Sequence, residues 1–133
     1  MIRYMLDTDI CTYIINKKPA NVAARFRKEP FGTIGISSVS ASELAFGVTK
    51  SGSTKNRQAL ELFLSPLTVL PFDESIIWTY GSVRTEVEKS GTPIGAMDLM
   101  IAAHALSLNA CLITNNVNEF QRVNRLQVEN WVN

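Results

Sequence analysis

The sequence is short of the residues that most often announce a function. It has two cysteines, Cys11 and Cys111, and one histidine, His104, with no CxxC pair. That is too few for a disulfide framework, and it leaves no Cys/His cluster for zinc. Neither GxGxxG nor GxxxxGK[ST] occurs, so the usual phosphate-cradling loops of nucleotide-binding folds are missing. Charges of the two signs nearly cancel, 13 Lys+Arg against 12 Asp+Glu, and net charge gives no sign of a nucleic-acid partner. The longest apolar stretches are broken by Asp98, His104, Ser107 and Asn109 before reaching spanning length. No basic-then-apolar leader opens the chain, so no membrane association and a reduced, cytoplasmic location are expected. Aspartate is scarce too: Asp7, Asp9, Asp73 and Asp98 are all there are.

What is present reads as a globular chain. With 133 residues, 46% hydrophobic and 19% charged, it suits a single domain over 1–133, and no repeat or linker divides it. The charge is unevenly spread. From Ile10 to Lys28 there are five basic residues (Lys17, Lys18, Arg25, Arg27, Lys28) and no acid. Such a stretch is either a solvated helix face or a surface for a polyanion.

Short apolar segments alternate with longer amphipathic ones. Strands are predicted at Arg3–Leu6, Thr33–Ser37, Leu67–Leu70, Cys111–Thr114 and Leu126–Glu129. A helix capped by Thr8 or Asp9 runs to Ile15, and a second starts at Pro19 and reaches about Lys28. Ser40-Ala-Ser-Glu43 is a capping-box pattern opening a helix to about Lys50, followed by another over Lys55–Leu64. Asp73 or Glu74 starts a long helix to about Ser90, and Asp98–Leu108 is apolar nearly all round, as a buried helix would be. Asn115–Asn118 reads as a polar loop. This alternation predicts an α/β fold: a three-layer α/β/α sandwich around a mainly parallel sheet.

In such a sheet, ligands bind beyond the carboxyl ends of the strands. Asp7 directly follows the first strand, and Glu43 lies in the first turn of the helix entered from the second. The helix from Asp98 runs back antiparallel to the strands, so its start lies at the same edge. Asn116 and Glu119 follow the strand Cys111–Thr114. Each has a structural alternative. Glu43 can be the capping partner of Ser40, Asp98 can complement its helix N-terminus, and Asp9 can be an N-cap. Asp7 is harder to explain that way, because an acid ending an apolar strand is desolvated unless something positive meets it. Together, carboxylates crowding one edge repel unless a divalent cation lies among them, and all-oxygen ligands favour Mg²⁺ or Mn²⁺ over zinc. Metal-dependent phosphodiester hydrolysis is the economical expectation, with a basic segment to hold the substrate's phosphates.

Five blocks carry a family resemblance: MLDTDI, SSVSASELAFG, PIGAMDLMIAAHAL, LITNNVNEFQRV and VENW. They resemble a PIN-domain nuclease, and more closely the VapC-type toxin of a bacterial toxin–antitoxin pair, over essentially the whole chain. The resemblance implies that Asp7 and Asp98 are the principal metal ligands, with Glu43 completing the cluster directly or through water. Where many PIN domains have a fourth acid this chain has Asn116, with Glu119 three residues on. It also has Asp9 where the family usually has Asn, an extra carboxylate that can join the cluster, alter phosphate affinity or weaken activity. Thr8, Ser38 and Thr114 match hydroxyl positions near such sites. The implied activity is a Mg²⁺- or Mn²⁺-dependent endoribonuclease leaving a 5′-phosphate and a 3′-hydroxyl, with initiator tRNA in its anticodon stem-loop the first substrate to test. The implied partners are a second copy in a homodimer and a VapB-type antitoxin whose tail wraps the toxin. The apolar run Ile10, Tyr13, Ile14, Ile15 fits either a groove for that tail or the core, and His104, six positions from Asp98, points to another helix face.

Two rival readings come from other classes. One is a PIN-like RNA-binding module or inactive toxin variant, motivated by Asp9 and Asn116. The other is a haloacid-dehalogenase-type phosphatase with Asp7 as nucleophile and Asp9 as acid/base. For the latter, Cys11 stands where Thr or Val is wanted, and the late acidic pair is absent.

Overall fold

A computed structural model of the chain describes residues 1–132. Along the chain, β1 (Tyr4–Leu6), α1 (Thr8–Asn16) and α2 (Ala20–Lys28) precede β2 (Ile34–Ser37) and then α3 (Ser38–Ser51) and α4 (Thr54–Leu64). Next come β3 (Thr68–Leu70), a 3₁₀ turn at Glu74–Ile76, α5 (Ile77–Lys89) and α6 (Ala96–Ser107). The chain continues through β4 (Cys111–Ile113), the short α7 (Val117–Phe120) and β5 (Val128–Glu129). The sheet order is β3-β2-β1-β4-β5 and every pairing is parallel. The predicted α/β/α architecture is what the chain adopts.

The strands are buried on both faces, which is why they read as continuous apolar runs. Alternate residues serve different layers. Tyr4, Leu6, Ile34, Ile36 and Ile113 pack with Ile10, Ile14 and Val22 of α1 and α2. Met5 and Leu112 face the opposite way, onto Val83 and Val87 of α5 and Ile101 and Ala102 of α6. Gly35 gives β2 no side chain on this second face. A Cβ there would stand 2.7 Å from Leu70 Cδ1 and 3.1 Å from the Thr68 carbonyl, so β3 closes over the gap.

Strand order decides where a ligand can sit. From β1 the chain builds outward to β2 and β3, then returns to place β4 on the other side of β1. Such a reversal leaves a crevice at the carboxyl ends of the two central strands, the usual ligand position in open parallel sheets.

Three local expectations are corrected. The N-cap of α1 is Asp7 itself, whose side chain accepts the Thr8 N–H, and not Thr8 or Asp9. The long helix expected from Asp73 opens as a 3₁₀ turn, with Asp73 accepting the Ser75 N–H, before α5 proper begins. The polar loop at 115–118 gives way at Val117 to a helical turn, because Phe120 at its end is fully buried and pulls the segment onto the core.

Candidate active site

Asp7 lies at the floor of the β1/β4 crevice, only 6% exposed. Its own N–H donates to the Ile113 carbonyl of β4 at 2.8 Å. Oδ1 accepts from the Thr8 N–H at 2.8 Å, and Oδ2 accepts from Thr114 Oγ1 at 2.7 Å across the crevice. Burial, then the neighbouring Asp9 carboxylate, pushes Asp7 up to about 6 against the pull of the Thr114 and Thr8 hydrogen bonds, and Glu43 adds to the rise. The donors satisfy the carboxylate but leave its charge uncompensated.

Glu43 does not belong to a capping box. Helix α3 starts earlier, with Ser37 as its cap, Ser37 Oγ accepting the Val39 N–H at 3.1 Å. Ser40 is thereby inside the helix, buried, with its Oγ unpartnered. Glu43 instead turns to the crevice, where its Oε1 accepts Thr8 Oγ1 at 3.0 Å. Asp98 is no cap either. Helix α6 begins at Ala96 from Gly95, without a side-chain cap, and Asp98 lies half-buried in the first turn. Burial, then Glu119, Asp7 and Glu43, raises the Asp98 carboxyl to about 7.

The fourth segment completes the rim. Asn116 donates its backbone N–H to Thr114 Oγ1 at 2.9 Å, and its Nδ2 to Glu119 Oε2. Glu119 Oε1 accepts the Gly95 N–H at 3.4 Å, which ties α7 to the start of α6. Asp9 Oδ2 accepts the Asn115 N–H at 3.2 Å, while its Oδ1 is buried and unpartnered. Burial is the main reason the Asp9 carboxyl is raised. Asp7, Glu43, Asp98 and Glu119 therefore share one edge, as expected from topology, and Asp9, read as a helix cap from the sequence, lies with them.

The basic segment is not brought to this edge. Lys17 and Lys18 follow the far end of α1, a helix whose nine residues carry them about 13 Å from its start at Asp7. Arg25 is bound to Glu29 and Glu129 and lies over the rings of Tyr4 and Trp131. Arg27 borders a hollow with Ile34 and Leu67, where β2 and β3 begin, and Lys28 is its neighbour. The expectation that these residues flank the acidic point is thus corrected. They are adjacent to it in sequence, but α1 and α2 carry them away.

Other candidates also find structural employment. His104 is buried, its Nδ1 2.8 Å from Ser37 Oγ and its ring edge-on to Phe72, and burial lowers its pKa. Ser38 Oγ accepts the Phe72 N–H at 3.0 Å and holds the chain leaving β3. Of the apolar run, Ile10 and Ile14 are core, and Tyr13 accepts Asn115 Nδ2. Ile15 instead lines a hollow of about 360 Å³ between α1, α3 and α4, whose lining includes Thr8 and Glu43. Arg122 was not singled out in the sequence. It reaches back 29 residues to the loop before α6, where its Nη1 donates to the Pro93 carbonyl at 3.0 Å. Its place within the LITNNVNEFQRV block, two residues after Phe120, was the available signal.

The donor set fits a hard divalent cation. The side-chain donors at the rim are oxygens, and among the described residues none of the five carboxylates is in an ion pair. No three of them close on a common point among those residues. The raised Asp7 has a consequence for stability. Its folded pKa of about 6 exceeds the ordinary 3.8, so the folded state holds the extra proton between those values. Stability from this group is present near pH 4 and lost as pH rises through about 6, a cost of about 3 kcal/mol at neutral pH. The melting temperature of cation-free protein should therefore fall from pH 4.5 to 7.5, and Mg²⁺ or Mn²⁺ should restore it at the higher pH only. A profile that rises over that interval would contradict this account.

Comparison with known proteins places this geometry. Residues 4–126 match the model of the PIN domain. The chain is 45% identical over 130 residues to Ribonuclease VapC2 of Rickettsia felis, covering 96% of this chain and 97% of the relative. It is 41% identical to the tRNA(fMet)-specific endonuclease VapC of Shigella flexneri, covering 98% and 99%. A crystal structure of VapBC2 from Rickettsia felis bound to a promoter DNA fragment superimposes with a TM-score of 0.91 at 44% identity, over 98% of this chain and 99% of that one. The phosphatase reading of Asp7-Thr-Asp9 is set aside by this match. A parallel sheet whose central crevice gathers acids from four segments, matched over nearly its full length, places the chain in the PIN-domain family, within its VapC branch.

Proposed function

We propose that this protein is a Mg²⁺- or Mn²⁺-dependent endoribonuclease toxin acting on tRNA, held in check by a VapB-type antitoxin. The observation that carries the chemistry is the meeting of Asp7, Glu43, Asp98 and Glu119 from four separate segments, with burial and mutual repulsion keeping Asp7 and Asp98 reluctant to ionise. Asp7, Asp98 and Glu43 would hold the cation. Such a cation would supply activation of water, orientation of the scissile phosphate and neutralisation of the charge building on its oxygens. Thr114 and Thr8 hold the Asp7 oxygens, Thr8 also holds Glu43, and Asn116 holds Glu119, so each of these carboxylates has a neighbour that orients it.

The RNA substrate is supported by the relatives named as ribonucleases, and tRNA(fMet) by the Shigella relative. The antitoxin is supported by the VapBC complex from Rickettsia, and the hollow lined in part by Thr8 and Glu43 would take its tail. A homodimer and a cytoplasmic location complete the reading, and no helix among the described residues is long and apolar enough to cross a membrane. The test is incubation of the purified protein with initiator and elongator tRNAs plus Mg²⁺ or Mn²⁺, with Asp98→Asn alongside. Cleavage by the wild type alone, giving 5′-phosphate and 3′-hydroxyl ends, supports the proposal. Intact RNA with both folded proteins leaves the inactive-module reading in its place.

A further inference from the structure

With the basic segment of α1 and α2 away from the rim, the site lacks an evident means of holding the phosphates next to the scissile one. Five carboxylates outweigh one or two divalent cations, so a polyanion still meets net negative charge there. A positive group bordering the rim would offset it. Among the described residues, Arg57, Arg84 and Arg125 lie near Glu61, Glu88 and Glu86, and Arg25 is held by Glu29 and Glu129. Arg122 differs. Its one hydrogen bond, from Nη1 to the Pro93 carbonyl, anchors an otherwise exposed side chain on the loop that leads to Asp98. Three residues earlier, Glu119 grips Gly95 of the same loop. Nε and Nη2 make no further hydrogen bond or ion pair among the described residues.

We propose that Arg122 is a substrate-binding residue that takes an RNA phosphate flanking the scissile bond. An exposed arginine ordinarily spends conformational entropy to bind. Here the bond to Pro93 holds the guanidinium beforehand, and its planar fork keeps donors free for a phosphate. It follows Glu119 by three residues, and its bond to Pro93 holds the guanidinium on the loop that leads through Gly95 to Asp98, from which it can meet the strand beyond the reacting group. This inference rests on the RNA-cleaving reading of the same site.

The experiment measures binding of labelled tRNA to the Asp98→Asn protein in Mg²⁺ across about 50–200 mM salt, by fluorescence anisotropy. Arg122→Gln in that background should weaken binding about tenfold at low salt and flatten the log K against log[salt] slope by roughly 0.7–1. Arg122→Lys should keep the slope, and Lys28→Gln, which removes a charge at the opposite edge, should change neither quantity. In the cleaving protein, Arg122→Gln should raise KM and leave kcat nearly unchanged. Unchanged affinity and slope with a lowered kcat would overturn the proposal and leave Arg122 a loop anchor. If Asp98→Asn binds no RNA at all, the RNA-cleaving reading falls first and this one with it.

Discussion

Asp98→Asn is expected to abolish cleavage and, without added cation, to make the protein more stable at pH 8. The two effects have one cause. Asp98 is half-buried in the first turn of α6, with Glu119, Asp7 and Glu43 around it, and its carboxyl is raised to about 7. Ionising it at pH 8 costs free energy because burial strips the carboxylate of water and the neighbouring acids repel its charge. The amide is nearly isosteric and carries no charge, so it removes that cost, and the melting temperature of the cation-free protein should rise. Catalysis suffers because the amide is a poor ligand for a hard cation. Loss of partners that merely orient a metal ligand costs roughly 10–100-fold, so loss of the ligand itself should exceed about a hundredfold. Adding Mg²⁺ should reverse the order of stability, since only the parent gains from it. Calorimetry of both proteins with and without Mg²⁺ at pH 8 checks this. A variant less stable than the parent in the absence of cation would refute the repulsion, and one that cuts RNA at the parental rate would refute the role.

An acid proposed to hold the cation is also a liability to the fold, and the same burial shapes what was readable from sequence and what was not. Strands buried on both faces write themselves as apolar runs, and helices between them read by period, so the layers and the common edge of Asp7, Glu43, Asp98 and Glu119 were legible. The capping box at Ser40 was a false signal. It satisfied the local rule, but Ser37 had already started α3, because β2 passes into the helix without a loop and a serine at the junction can cap it. Helix α7 was hidden for the opposite reason. Asn115–Asn118 is polar enough to read as a loop, and only burial of Phe120 makes the following turn helical. The basic segment failed because adjacency in sequence is poor evidence of adjacency in space once a helix intervenes. Arg122 and Pro93, far apart in sequence, meet, whereas Lys17 leaves Asp7 behind.

Phe120 ties these observations to stability. It heads the fully buried side chains by volume, and it closes a helix of four residues that could not persist alone in water. Phe120→Ala should cost about 3–5 kcal/mol, transfer and cavity terms together. Against the roughly 5–15 kcal/mol that ordinary domains possess, that is a large share. The melting temperature should fall on the order of 10–20 °C for a chain of this size. Denaturant titration should show a lowered midpoint with an unchanged slope if the native state remains compact. Activity should fall further than unfolding accounts for, because the turn that Phe120 anchors carries Asn116 and Glu119 and leads to Arg122. Phe120→Leu separates the two effects: it refills most of the space, so it should regain most of the stability and hold the turn in place. If Phe120→Ala, assayed well below its midpoint, cut RNA as fast as the parent, the buried ring would be a packing element only. The site would then owe its order to the hydrogen bonds of Glu119 and Arg122 with the loop before α6.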